Sequence, residues 1–132
     1  MTSALYISLS AFLIFWLSMK VINLRRKHRV SLGDGNIEEL RIAIATQLNA
    51  VEYIPVTLLL LVALEYNNAS LWLVHALGIT FICGRVIHAA GLINTRLKQR
   101  VLGMQITLYT LVALAIFNII YLPYNQILIW LK

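Results

Sequence analysis

Glu52 and Arg85 each sit in the middle of a long apolar stretch, where a charged side chain needs a specific reason to be present. Asn49 lies three residues before Glu52 and His88 three after Arg85, so on helices each pair shares one face. A carboxylate, a guanidinium, an amide and an imidazole gathered in this way can do one of two things. They can pair with one another and fasten two helices together, or they can line a cavity and bind a small charged ligand. Arg100 opens a further apolar stretch, where its guanidinium can turn into a crevice between helices instead of toward lipid headgroups.

The elements that must position these groups follow from composition. The 132-residue chain is 61% hydrophobic and only 12% charged, with a mean hydropathy of +0.82. Soluble chains hold about 45–50% apolar residues, so this apolar surplus must face lipid. A spanning helix takes about 20 residues, and four fit the length with short loops. The fold class expected is an all-α integral membrane protein: one four-helix domain over residues 1–132, with spans at about 4–24, 40–65, 71–93 and 101–122. Lys20, Arg25, Arg26, Lys27 and Arg29 follow the first apolar run instead of preceding it, unlike a cleavable signal peptide, so that segment is expected to be retained.

Loop chemistry sets the boundaries. Ser31 to Asn36 holds two glycines with Asp34 and Asn36, a turn composition, and Asn36 stands three residues before Glu39 at capping-box spacing. The second helix is therefore predicted to begin near Ile37, capped by Asn36. Glu65 to Ser70 is a short polar connection, Asn94 to Gln99 a basic loop, and Pro123 breaks the fourth helix before a short apolar tail bearing Trp130, expected along the interface. Counting cations by side places nine Lys and Arg near the first and third loops against Lys132 alone at the other end. The positive-inside rule then puts both basic loops in the cytoplasm and both termini outside, in the inner membrane for a bacterial protein.

The net charge of +6 is explained by these flanks, and no nucleic-acid motif accompanies it. The single cysteine, Cys83, excludes an intrachain disulfide and a Cys-based metal site; no metal ligand set is expected. Pro55, His28 and His75 carry no assigned chemistry.

Depth brings the ionisable groups together. Glu52 lies 13 residues before Glu65, and Arg85 lies 15 after Ser70, on helices running in opposite directions from a shared loop. At ~1.5 Å per residue these are ~20 and ~22 Å from the outer boundary, the same level in the cytoplasmic half. Spacing leaves open whether the cluster is an interhelical fastening or a ligand site.

Taken in order, the motifs resemble those of the membrane-associated proteins in eicosanoid and glutathione metabolism, the MAPEG family. They are Val21-Ile22 followed by Arg25-Arg26 and Arg29; Leu32-Gly33-Asp34-Gly35; Asn49-x-x-Glu52-Tyr53-x-Pro55; Gly84-Arg85-x-x-His88; and Arg100-x-x-Gly103-Met104. The resemblance covers nearly the whole chain. It implies a homotrimer of four-helix protomers that binds glutathione between neighbouring subunits, toward the cytoplasmic side. It also implies that Arg100 stabilises the glutathione thiolate, that Arg25, Asn49, Glu52 and His88 help bind the tripeptide, and that Arg85 supports the same site.

The charges suit such a ligand: glutathione has two carboxylates for arginines and one ammonium for Glu52, and a nearby cation lowers a thiol pKa. A lipophilic co-substrate would reach the site from membrane lipid. Two positions depart from the glutathione-using pattern. Ala45 stands where many members carry an arginine, and Leu92 where several carry an aromatic hydroxyl. The function expected is a glutathione-dependent transferase or peroxidase acting on lipophilic electrophiles. The alternative is a non-catalytic membrane protein of the same fold, with a structural polar cluster or a different small anionic ligand. A transporter fits less well, because the polar groups gather at one end instead of lining a full path.

Overall fold

The structure, a computed structural model, describes residues 1–124. The apolar tail with Trp130, and Lys132, lie outside the described residues. The described residues fold into four helices: α1 (Ser3–His28), α2 (Glu38–Tyr66), α3 (Leu71–Ile93) and α4 (Leu97–Ile120). All four are long and apolar enough to cross a membrane.

α3 has the bounds expected for the third span, α1 and α2 run past theirs at both ends, and α4 starts earlier than expected and stops two residues sooner. α1 continues a turn beyond its apolar run, through Arg25, Arg26, Lys27 and His28, and stops at Arg29 in the left-handed conformation (φ 56°). Cations are favoured there because the helix dipole is negative at its C-terminus. α4 begins at Leu97, four residues before the apolar run, because Leu-Lys-Gln-Arg are all good helix formers. The basic loop is correspondingly short, and Arg100 lies in the first turn of α4.

The capping box at α2 does not form. Asn36 takes a left-handed conformation (φ 58°), and its N–H donates to Asp34 Oδ1 at 3.0 Å, making a local turn. Ile37 occupies the N-cap position with no side-chain bond, so Glu38 and Glu39 in the first turn are left to meet the helix dipole. The Asx turn won because Asp34 supplies an acceptor two residues away, closer in sequence than Glu39. At α3 the polar connection does cap: Ser70 Oγ accepts from the Leu73 N–H at 3.3 Å.

Glu65, read from sequence as the junction of the second span and its polar connection, lies in the last turn of α2 and caps α1. Its carboxylate accepts from the N–H groups of Thr2 and Ser3, the latter at 2.8 Å, and lies 4.0 Å from the N-terminal ammonium. An anion at a helix N-terminus satisfies orphan donors and meets the positive end of the dipole.

α3 packs against α1, α2 and α4, while the backbones of α1 and α4 do not approach one another closely. The main core joins Tyr6 and Leu17 of α1, Ile54 and Leu61 of α2, Val74 and Phe81 of α3 and Leu114 of α4. The α3–α4 contact is a close backbone approach through glycine. A Cβ on Gly103 would lie 2.3 Å from the His88 amide nitrogen, and one on Gly91 would lie 2.3 Å from that of Arg100. Small residues that admit such approaches are a usual means of joining helices in lipid. Outside this core, Phe12, Phe15, Leu59, Trp72 and Tyr109 are exposed, as lipid-facing side chains should be.

Candidate functional site

A cleft of about 490 Å³ opens between α2, α3 and α4 toward the basic end of the bundle. Helical spacing puts its walls together. Ala45, Asn49 and Glu52 recur at i, i+4 and i+7 on α2; His88 and Leu92 are one turn apart on α3; Arg100, Met104 and Leu108 follow at i, i+4 and i+8 on α4. Gly91 and Gly103 bring the α4 backbone against α3 on either side of Arg100, so this residue enters the cleft beside His88.

Four of the six residues singled out from sequence, Asn49, Glu52, His88 and Arg100, line this one cleft. Arg85 sits behind its wall, 1% exposed. Arg25 lies in a neighbouring groove with Arg41, one that shares Ala45 and Leu48 with the cleft. There Arg25 Nη1 donates to the Ser31 carbonyl at 3.2 Å and Arg41 pairs with Glu38.

The interhelical salt bridge that spacing allowed between Glu52 and Arg85 is not formed. Arg85 Nη2 donates to Asn49 Oδ1 at 2.9 Å instead, and its guanidinium carbon lies 5.9 Å from the Tyr53 ring centroid. Asn49 and Arg85 meet across the α2–α3 contact at the level the depth comparison placed them. Glu52, three residues further along α2, turns to the cleft, exposed and without an ion pair among the described residues. Arg85 Nε and Nη1 are buried with no partner among the described residues.

These bonds fix which atoms the cleft has to offer. Because Asn49 Oδ1 accepts from Arg85, its Nδ2 remains as a donor. His88 Nδ1 lies 2.9 Å from the Arg100 carbonyl oxygen; a carbonyl only accepts, so Nδ1 carries the proton and Nε2 of the neutral ring is an acceptor. Donors from Asn49 and Arg100 thus face acceptors from Glu52 and His88 across walls that are otherwise mostly apolar. Such a site suits a ligand with both charges and an apolar part.

Sequence reasoning missed Gln105, which lines the cleft, and the role of the glycines. Gln105 could be found only from the register of α4 against α2. The glycine of the Arg100-x-x-Gly103 motif was visible, but its purpose is a contact with another helix.

A family model for the MAPEG family matches residues 3–120, which include every residue of the cleft. The chain belongs to the MAPEG family. It is 39% identical over 127 residues to the inner membrane protein YecN of Escherichia coli strain K12, covering 96% of this chain and 97% of that protein. The protein of the same name from Escherichia coli O6:H1 matches equally well. With four helices suited to crossing a bilayer, this MAPEG protein is a multi-pass membrane protein.

Proposed function

We propose that this MAPEG protein is a glutathione-dependent transferase or peroxidase acting on lipophilic electrophiles. The observation that carries the reading is that Glu52 and Arg100, opposite charges with no ion pair to each other or to any other described residue, line one cleft. At about 490 Å³ the cleft falls within the usual ~300–1,000 Å³ of ligand sites. Glutathione bound there would supply the thiol nucleophile. Glu52 accepts the ligand ammonium, and Asn49 Nδ2 donates to a carboxylate. Arg100 holds the sulfur in its anionic form, since a guanidinium beside a thiol favours the thiolate. Met104 and Leu108 leave an apolar wall for the lipophilic partner.

Assembly as a homotrimer belongs to the same proposal. Glu52 lies in the middle of α2 and is exposed on the isolated protomer, where facing lipid would cost about 2.5–3.5 kcal/mol even on a lenient scale. A neighbouring copy covering this face would enclose the cleft and remove that cost. Likeness to an inner membrane protein and the basic loops support an inner-membrane location with both termini on the non-cytoplasmic side.

A second reading is favoured by Ala45 and Leu92, the two departures from the glutathione-using pattern, which present apolar side chains to the cleft. On that reading the cleft keeps its charges for a different small anionic ligand, without catalysis. Calorimetry of reduced glutathione with detergent-solubilised protein separates the two. Saturable binding lost in Arg100→Ala and weakened in Glu52→Gln supports the enzyme. A folded wild-type protein that fails to bind overturns it and leaves the second reading.

A further inference from the structure

α1 carries a stripe that grades from apolar to cationic on a face the core does not use. Phe12, Trp16, Lys20, Asn23 and Lys27 recur at intervals of four, four, three and four residues, so they lie in one row along the helix. The last four of these, with Met19 and Glu39, line a groove of about 340 Å³ separate from the cleft of α2, α3 and α4. Lys20 and Lys27 are seven residues apart, ~10 Å along the axis, comparable to the depth of a headgroup layer.

The charges in the groove are unequal. Lys27 Nζ is 3.6 Å from Glu39, the acidic residue facing the groove, which His28 Nε2 also approaches at 3.9 Å. Lys20 has no ion pair and Asn23 no side-chain hydrogen bond among the described residues, although Lys20 is half-buried. Glu39 thus answers Lys27 and leaves one ammonium and one amide, a turn apart, with nothing to bind. Toward the bilayer interior the row continues as Trp16 and Phe12, the latter 71% exposed, whose rings provide a surface for a hydrocarbon chain.

We propose that this groove binds an anionic glycerophospholipid, with its phosphodiester held by Lys20 and Asn23 and an acyl chain lying along Trp16 and Phe12. Basic pockets at the headgroup level of membrane helices suit this chemistry, and the apolar half of the row distinguishes a lipid from a free phosphate. Arg96 and Lys98, the cations of the other basic loop, do not line this groove.

The test uses the full chain in detergent, titrated with dioleoyl-phosphatidylglycerol, dioleoyl-phosphatidylcholine or inorganic phosphate. Retained lipid is counted by native mass spectrometry, and folding is checked by circular dichroism. The wild type is expected to retain phosphatidylglycerol in preference to phosphatidylcholine. Lys20→Gln should weaken that retention about fivefold, the effect of one lysine near a membrane surface. Asn23→Ala should weaken it in the same direction, and the charge-matched Lys98→Gln should leave it unchanged. Equal retention by Lys20→Gln and Lys98→Gln would overturn the proposal, because the binding would then be diffuse. Full displacement by inorganic phosphate would show a soluble-anion site, and a change of oligomeric state in Lys20→Gln would show a protein interface; either result also overturns it.

Discussion

Replacing Gly103 by alanine tests whether the α3–α4 approach is what brings Arg100 to the cleft. The added Cβ would lie 2.3 Å from the His88 amide nitrogen, 2.6 Å from its Cα and 2.7 Å from the Gly84 carbonyl oxygen, all backbone atoms that no rotamer change can move. Ordinary contact begins at about 3.4 Å, so the two helices must separate locally by about 1.1 Å. The bond from His88 Nδ1 to the Arg100 carbonyl, now 2.9 Å, would then exceed hydrogen-bonding distance. Overpacking costs about 1–3 kcal/mol and the lost bond about 1 kcal/mol more, so Gly103→Ala should destabilise by ~2–4 kcal/mol.

On the proposed glutathione reading, a shift of about 1 Å at a reacting group can cost on the order of 100-fold in rate, so ligand binding and turnover should fall further than stability alone explains. Reversible unfolding in detergent and glutathione calorimetry, both below the unfolding transition, measure the two effects. Gln105→Ala on the same helix, which removes only an exposed side chain, should stay within about 0.5 kcal/mol of wild type. If Gly103→Ala were equally mild, the glycine approach would not be what sets the position of Arg100.

The other predictions concern polar groups that lose or keep a partner. Asn49→Ala removes the hydrogen-bond partner of buried Arg85 and should destabilise by ~1–3 kcal/mol, whereas the double variant with Arg85→Met should recover part of that loss; a double-mutant cycle of unfolding free energies checks the sign. Glu65→Ala should free the start of α1 and cost ~1 kcal/mol, seen as faster hydrogen exchange at the amides of Thr2 and Ser3. Asn36→Gly should change stability by no more than a few tenths of a kcal/mol, because glycine also takes a positive φ. Asp34→Ala should cost more than Asn36→Gly, since it removes the acceptor of the Asn36 N–H; equal or reversed losses in thermal unfolding would contradict the turn described at α2.

The helix count and the centres of all four helices were legible because lipid demands long apolar runs, which are a property of local composition. Helix ends were less legible. Lys98–Arg100 and Arg25–His28 are polar yet helical, since hydrogen bonding along a helix does not stop where hydropathy falls. Asn36 was misread because two local acceptor patterns competed for the same loop and spacing does not rank them.

Of the candidate site, the sequence by itself determined the types of group and their common depth: Asn49, Glu52, Arg85 and His88 follow from helical rise, which any α-helix shares. Which of them pair and which face the cleft was decided only by the tertiary structure. Arg85 chose Asn49 over Glu52, and Glu52 was left open to the cleft, because the rotation of α2 against α3 is set by side-chain packing across their whole length. Arg100 owes its place beside His88 to glycines that carry no charge and show no periodicity of their own. Their effect exists only where a second helix comes close enough to need the missing Cβ.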